Sequence, residues 1–134
     1  MGQLKLLKKK PPKVYTEVTI IPGTSKNLII PAEKLESFLG FKPRYALVYF
    51  SESSFEIGYS FYENDKGPDS FRVLARPGYY QIHVKPVFKI LGLIDKITER
   101  SCPPAKFEEE KEVGKILTLD LSYLKSQTDD DKIK

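Results

Sequence analysis

The sequence predicts an α+β fold that is mainly β: a small barrel-like sheet with two short helices, built as an internal repeat about a pseudo-twofold axis. Three observations carry this. Most of the chain alternates apolar and polar residues over short runs rich in Val, Ile, Thr, Tyr and Phe, the pattern of half-buried strands. Only two stretches have helical spacing, and each is opened by proline and closed by glycine, Pro31 to Gly40 and Pro86 to Gly92. The order of elements leading into the second helix repeats the order leading into the first.

Val14–Gly23 (VYTEVTIIPG) alternates and stops at Pro22-Gly23, a strand followed by a turn. Asn27–Ile30 is a short apolar strand. Pro31 then starts a helix over AEKLESFLG, because the N–H it lacks would have no partner in a first helical turn. Leu35, Phe38 and Leu39 share one face of that helix, Glu33, Lys34, Glu36 and Ser37 are solvated, and Gly40 caps it in the left-handed conformation. Arg44–Phe50 and Ser54–Tyr62 are two strands around Ser51-Glu52-Ser53, and NDKGPD (Asn64–Asp69) is the strongest turn signal in the chain. The series then recurs. FRVLA is a strand, Arg76-Pro77-Gly78 a turn and YQIHV a strand, and Pro86 opens a shorter helix that Gly92 ends. Residues 94–114 read as a long polar excursion carrying EEEKE, and KILTLDLSYL is a final alternating strand. Residues 14–124 thus make one compact domain of two half-repeats, about 14–62 and 71–124. Residues 1–13 are a flexible basic arm and residues 125–134 a disordered tail.

The 134 residues are 40% hydrophobic, enough for a real core. No apolar run approaches the ~20 residues of a membrane-spanning helix, and no signal-peptide core follows the basic N-terminus. One cysteine, Cys102, allows no internal disulfide, and one Cys with one His leaves no usual zinc ligand set, so no metal is expected. The expected compartment is the cytoplasm. Scarce Asn and Gln, no Trp and abundant Lys, Glu and Tyr point to a thermophilic source. The chain has no glycine-rich phosphate loop, no HExxH and no G-x-S-x-G, so no catalytic residue, cofactor or small-molecule substrate is expected. His83, between Ile82 and Val84 in a strand, reads as a surface or packing residue rather than a ligand or base.

The net charge of +4 is uneven. Five of the 22 basic residues, Lys5, Lys8, Lys9, Lys10 and Lys13, lie in the first thirteen positions, and the other 17 meet 18 acidic residues. Against that near-neutral background, Phe71 to Ile94 carries Arg72, Arg76, Lys85 and Lys89 with no carboxylate. Such a stretch is where a phosphate backbone is tolerated. Plainer readings stand beside this one: Lys85 and Lys89 solvate the second helix, and Arg72 and Arg76 pair with Glu108–Glu112. Phe55, Ile57, Tyr59 and Phe61 fall on one face of a strand, with Tyr45 and Tyr49 alternating on its partner. Phe55, Ile57 and Phe61 are expected in the core, whereas edge tyrosines could stack single-stranded bases.

The segment IIPAEKLESFLGFKPRYALVYF followed by a hairpin resembles the AbrB/SpoVT/MazE type of swapped-hairpin β-barrel. The matching features are Ile29-Ile30-Pro31, Leu39-Gly40, Lys42-Pro43 and the hairpin, and YYQIHVKPVFKILGL matches the strand and helix a second time. The resemblance covers about Val14–Tyr62 and, more weakly, Phe71–Leu93. Arg44-Tyr45 stands where that family has Gly-Asp. What the resemblance implies is a small DNA-binding transcriptional regulator, commonly dimeric, that presents basic side chains from one barrel face to duplex DNA. The expected DNA-binding residues are Lys8, Lys9, Lys10, Lys13, Arg44, Arg72, Arg76, Lys85 and Lys89, and the expected partners are DNA and a second copy of the chain. The alternatives are a protein-interaction or accessory module, of viral type among others, without nucleic-acid binding, and a single-stranded nucleic-acid binder using the tyrosine-rich sheet.

Overall fold

The computed structural model describes residues 3–8, 15–23 and 26–124. The fold is mainly β, in two antiparallel sheets with short helical segments between and after the strands. In chain order the elements are β1 (Thr19–Ile21), β2 (Asn27–Pro31), α1 (Ala32–Leu39), β3 (Tyr45–Ser51) and β4 (Glu56–Tyr62). Then follow β5 (Phe71–Arg72), β6 (Leu74–Arg76), β7 (Tyr79–His83), α2 (Lys85–Leu91), β8 (Ala105–Glu110) and β9 (Gly114–Asp120). One sheet is ordered β1-β2-β7-β6 and the other β5-β3-β4-β9-β8.

The two sheets do not close into a barrel. Backbone bonds between Ile20 and Ser101, at 2.7 and 3.1 Å, tie the first sheet to the segment leading into β8, but this is an isolated bridge. The sheets share a core instead. Leu28, Ile30, Tyr80 and Ile82 from the first sheet join Ala46, Ile57, Tyr59, Phe61, Leu117 and Leu119 from the second, with Leu35 of α1 and Phe88 of α2, in one buried cluster. Ile57, Tyr59 and Phe61 are therefore core, while Phe55 lies just outside β4, half-buried and at φ 55°.

Three local readings are corrected. Pro31 is not in the first turn of α1 but is the last residue of β2 and the helix N-cap, whereas Pro86 does sit in the first turn of α2. FRVLA is not one strand. Phe71–Arg72 joins the second sheet, Leu74–Arg76 joins the first, and buried Val73 marks the crossing. The excursion 94–114 contains β8, at the outer edge of the second sheet. Three successive glutamates conceal its period of two, and an edge strand tolerates charge because one side of its backbone faces water.

Both helices end as expected, at glycines in the left-handed conformation, Gly40 at φ 81° and Gly92 at φ 71°. These two glycines lie 52 positions apart, and so do Ile29 and Gln81, the central pair of the β2·β7 ladder. At the ladder's ends the Ala32 N–H donates to the Gly78 carbonyl at 3.1 Å, and the Val84 N–H donates to the Lys26 carbonyl at 3.0 Å. The same 52-residue shift converts one of these bonds into the other.

Two outcomes follow from this packing. On the outer face of the second sheet a Cβ added at Gly58 would stand 2.7 Å from Cδ1 of buried Ile116. Gly58→Ala is expected to cost about 1 kcal/mol in thermal denaturation, and Ile116→Val, which deletes that methyl, should recover part of the loss. The second outcome is alkaline. The Tyr80 hydroxyl donates to Glu36 Oε2 at 2.8 Å, and burial first, then this carboxylate, pushes the phenol from its ordinary 10.0 up to about 12. Tyr59, fully buried with its hydroxyl unpartnered among the described residues, is also pushed up by burial. A phenol that ionises less readily folded than unfolded contributes stability that is whole below pH 10 and is lost as pH rises toward 12. The melting temperature should fall across that window as tyrosinate absorbance appears, and Tyr80→Phe should reduce the fall.

Candidate nucleic-acid interface

Arg44, Arg72 and Arg76 come together where the two sheets meet. Arg44 immediately precedes β3 and extends its ladder, its N–H donating to the Tyr62 carbonyl at 2.9 Å while its own carbonyl accepts from Val73 N–H at 2.9 Å. Arg72 in β5 is paired with Tyr45, and Arg76 ends β6 opposite Tyr79, before a turn in which Gly78 takes φ 86°. The chain crosses from one sheet to the other at Val73, so Arg72 and Arg76 sit on either side of the seam. With Pro43, Tyr45, Val73, Leu74 and Ala75, the three arginines line an open concavity of about 300 Å³ that has no acidic lining residue. All three are exposed, and none is ion-paired among the described residues.

The rival pairing with Glu108–Glu112 does not occur. Arg72 is on one edge strand of the second sheet and Glu108–Glu110 are on the other. Four strand spacings of ~4.8 Å separate them by about 19 Å.

Lys85 and Lys89 are exposed on α2 but do not line this concavity. Lys85 follows the His83 end of β7, whereas Arg76 adjoins its Tyr79 end, about 13 Å away along the strand. Lys89 lies in the last turn of α2, where a cation complements the helix dipole. Lys8 is exposed in a segment without regular structure, and Lys9, Lys10 and Lys13 lie outside the described residues. His83 ends β7 opposite Asn27, and among the described residues no three His, Cys, Asp or Glu side chains are grouped to hold a metal ion.

The structure adds two residues to the neighbourhood. Tyr62 is the direct β4 partner of Tyr45, which is itself the partner of Arg72, so Arg72, Tyr45 and Tyr62 form one row across three strands. Direct partners share a sheet face. The Tyr62 hydroxyl accepts from Ser60 Oγ at 3.2 Å, and Lys66 Nζ stands 4.8 Å from the centre of the Tyr62 ring. Lys66 is carried by a tight turn in which Asp65 accepts from Gly67 N–H and the Ser70 hydroxyl. Those bonds, the hydroxyl first, hold the Asp65 carboxyl below its ordinary range. The alternation Ser60, Tyr62 opposite Tyr45 was the available sequence signal for this row.

Exposed, unpaired arginines contribute little to folding. Replacing Arg44, Arg72 or Arg76 singly by Ala should shift stability in chemical denaturation by less than about 0.5 kcal/mol. Comparison of the chain with protein-family models, with curated proteins and with solved structures finds no match.

Proposed function

We propose that this chain is a small DNA-binding protein of regulatory type that holds backbone phosphates in the Arg44–Arg72–Arg76 concavity. The observation that carries this is the gathering of exposed Arg44 with Arg72 and Arg76, a pair remote from it in sequence, around one hollow without a carboxylate. Arginine presents a planar fork of N–H donors that fits phosphate oxygens in pairs. Lys85 and Lys89 extend the positive surface as backbone contacts outside the hollow. The AbrB-like resemblance belongs to this reading. Its idea of an ancient duplication is supported by the shared 52-residue shift of the helix caps and of the β2·β7 ladder, and the barrel closure of that family is not part of the proposal.

A mobility-shift titration of duplex DNA at several salt concentrations tests it. Each of Arg44→Gln, Arg72→Gln and Arg76→Gln should weaken binding and lower the salt slope by about one. Arg72→Glu with Arg76→Glu should nearly abolish the shift while the melting temperature holds. A double variant that shifts DNA like the parent would contradict the proposal.

A second reading, a protein-interaction module, is favoured by a different observation. Strand β3 is paired with β5 only at Tyr45 and Ala46, so its edge is open from Leu47 onward. Pro86, Val87 and Ile90 of α2 form the facing wall of an apolar groove of about 480 Å³ there, with Tyr49, Phe50 and Ile90 exposed. An open strand edge beside apolar side chains is how extended peptides add to a sheet. Ile90→Asp should abolish such docking, with self-association the first case to measure by sedimentation, and should leave DNA binding unchanged.

A further inference from the structure

The arginine hollow does not end at its own rim. Tyr45 lines it, and Tyr45 is also the centre of the row that runs from Arg72 through Tyr45 to Tyr62. On the same face two residues further along β3 stand Leu47 and then Tyr49, the latter 41% exposed. Their β4 partners are Ser60 and Gly58, small buried residues, the first bonded to the Tyr62 hydroxyl and the second packed against Ile116. Beyond Tyr62 lies a second hollow of about 480 Å³ whose lining includes Lys66 and Lys115, with Glu63 its one acidic residue. The face therefore alternates cation, ring, ring, cation.

We infer that this face binds single-stranded nucleic acid, with unpaired bases stacked on Tyr45 and Tyr62 and the flanking phosphates held by Arg72 and Lys66. The inference rests on the arginine hollow being a phosphate site, as proposed above, and adds which form of nucleic acid it selects. A paired base offers its ring face only to its neighbours in the stack, so a tyrosine platform discriminates in favour of unpaired strands. Lys66 sits over the half-buried Tyr62 ring, so this π face receives a cation in the free protein. A stacking base takes the place of the ammonium, and the ammonium moves to the phosphate beside it. The arginines serve either form of the polymer, whereas the tyrosines serve only the single strand.

The test is fluorescence titration of the full chain with an oligothymidylate and with its duplex with oligoadenylate. The protein has eight Tyr and no Trp, so its emission reports the tyrosines directly. The parent should bind the single strand more tightly than the duplex and lose tyrosine emission as it does so. Tyr45→Leu and Tyr62→Leu should each weaken single-strand binding roughly ten- to hundred-fold, and for Tyr62, which does not line the arginine hollow, duplex binding should be little changed. Should the leucine variants misfold, Tyr45→Phe with Tyr62→Phe keeps the rings: it should bind like the parent, with most of the quenching gone. Undiminished quenching in that variant, or leucine variants that fold and bind the single strand normally, would overturn the inference. If Arg72→Gln still weakens both probes in that case, the phosphate reading survives; if it weakens neither, both fail.

Discussion

Five residue pairs of one antiparallel ladder, Asn27–Pro31 against Tyr79–His83, join the two halves of the chain, and the rest of the architecture follows from them. Closing a loop of that length costs entropy before any contact repays it. The ladder repays it with apolar partners on the core side, Leu28 and Ile30 beside Tyr80 and Ile82, all nearly inaccessible to water. Backbone bonds from Ala32 to Gly78 and from Val84 to Lys26 close its two ends, and the Tyr80–Glu36 hydrogen bond fastens the second half's strand to the first half's helix. Both helices leave the ladder at its ends, one after Pro31 and one after His83, so each covers the core from its own side.

The same ladder produces the candidate site. With β7 fixed, β6 must pair with it through the Pro77-Gly78 turn, while Phe71 and Arg72 pair with β3. Val73 is the one residue between those commitments, and its bond to the Arg44 carbonyl draws the third arginine to the seam. Three like charges at a seam repel, but in water at the surface that repulsion is screened and small. A polyanion would remove it. The acidic strand β8 lies at the opposite edge of the same sheet, which leaves the positive side unneutralised by that strand's carboxylates.

Much of this was legible in the residues. Glycine caps, the proline in the first turn of α2 and the β3–β4 hairpin depend on local backbone chemistry, and they stand where the local signals put them. Arg72 and Arg76 were identifiable from the acid-free stretch around them, and Arg44 from its place where the resembled family has Gly-Asp. Their convergence was not, because it depends on the sheet-to-sheet crossing at Val73, a tertiary event inside what reads as one continuous strand, FRVLA. Tyr62 and Lys66 were missed for a related reason: a row across three strands is defined by register, which no single strand contains. The edge strand β8 was hidden by consecutive glutamates, whose charge suits an edge but mimics a loop.

The central claim is that a polyanion sits on the Arg44–Arg72–Arg76 hollow, and the most direct measurement is a residue-resolved NMR titration with a short oligonucleotide, following backbone amides and arginine side-chain resonances. The account predicts saturable shifts concentrated at Arg44, Tyr45, Arg72, Val73 and Arg76, fading with added salt, with the β8 residues Glu108–Glu110 unaffected. Shifts centred instead on the groove between β3 and α2, or spread without saturation over scattered surface lysines, would contradict it.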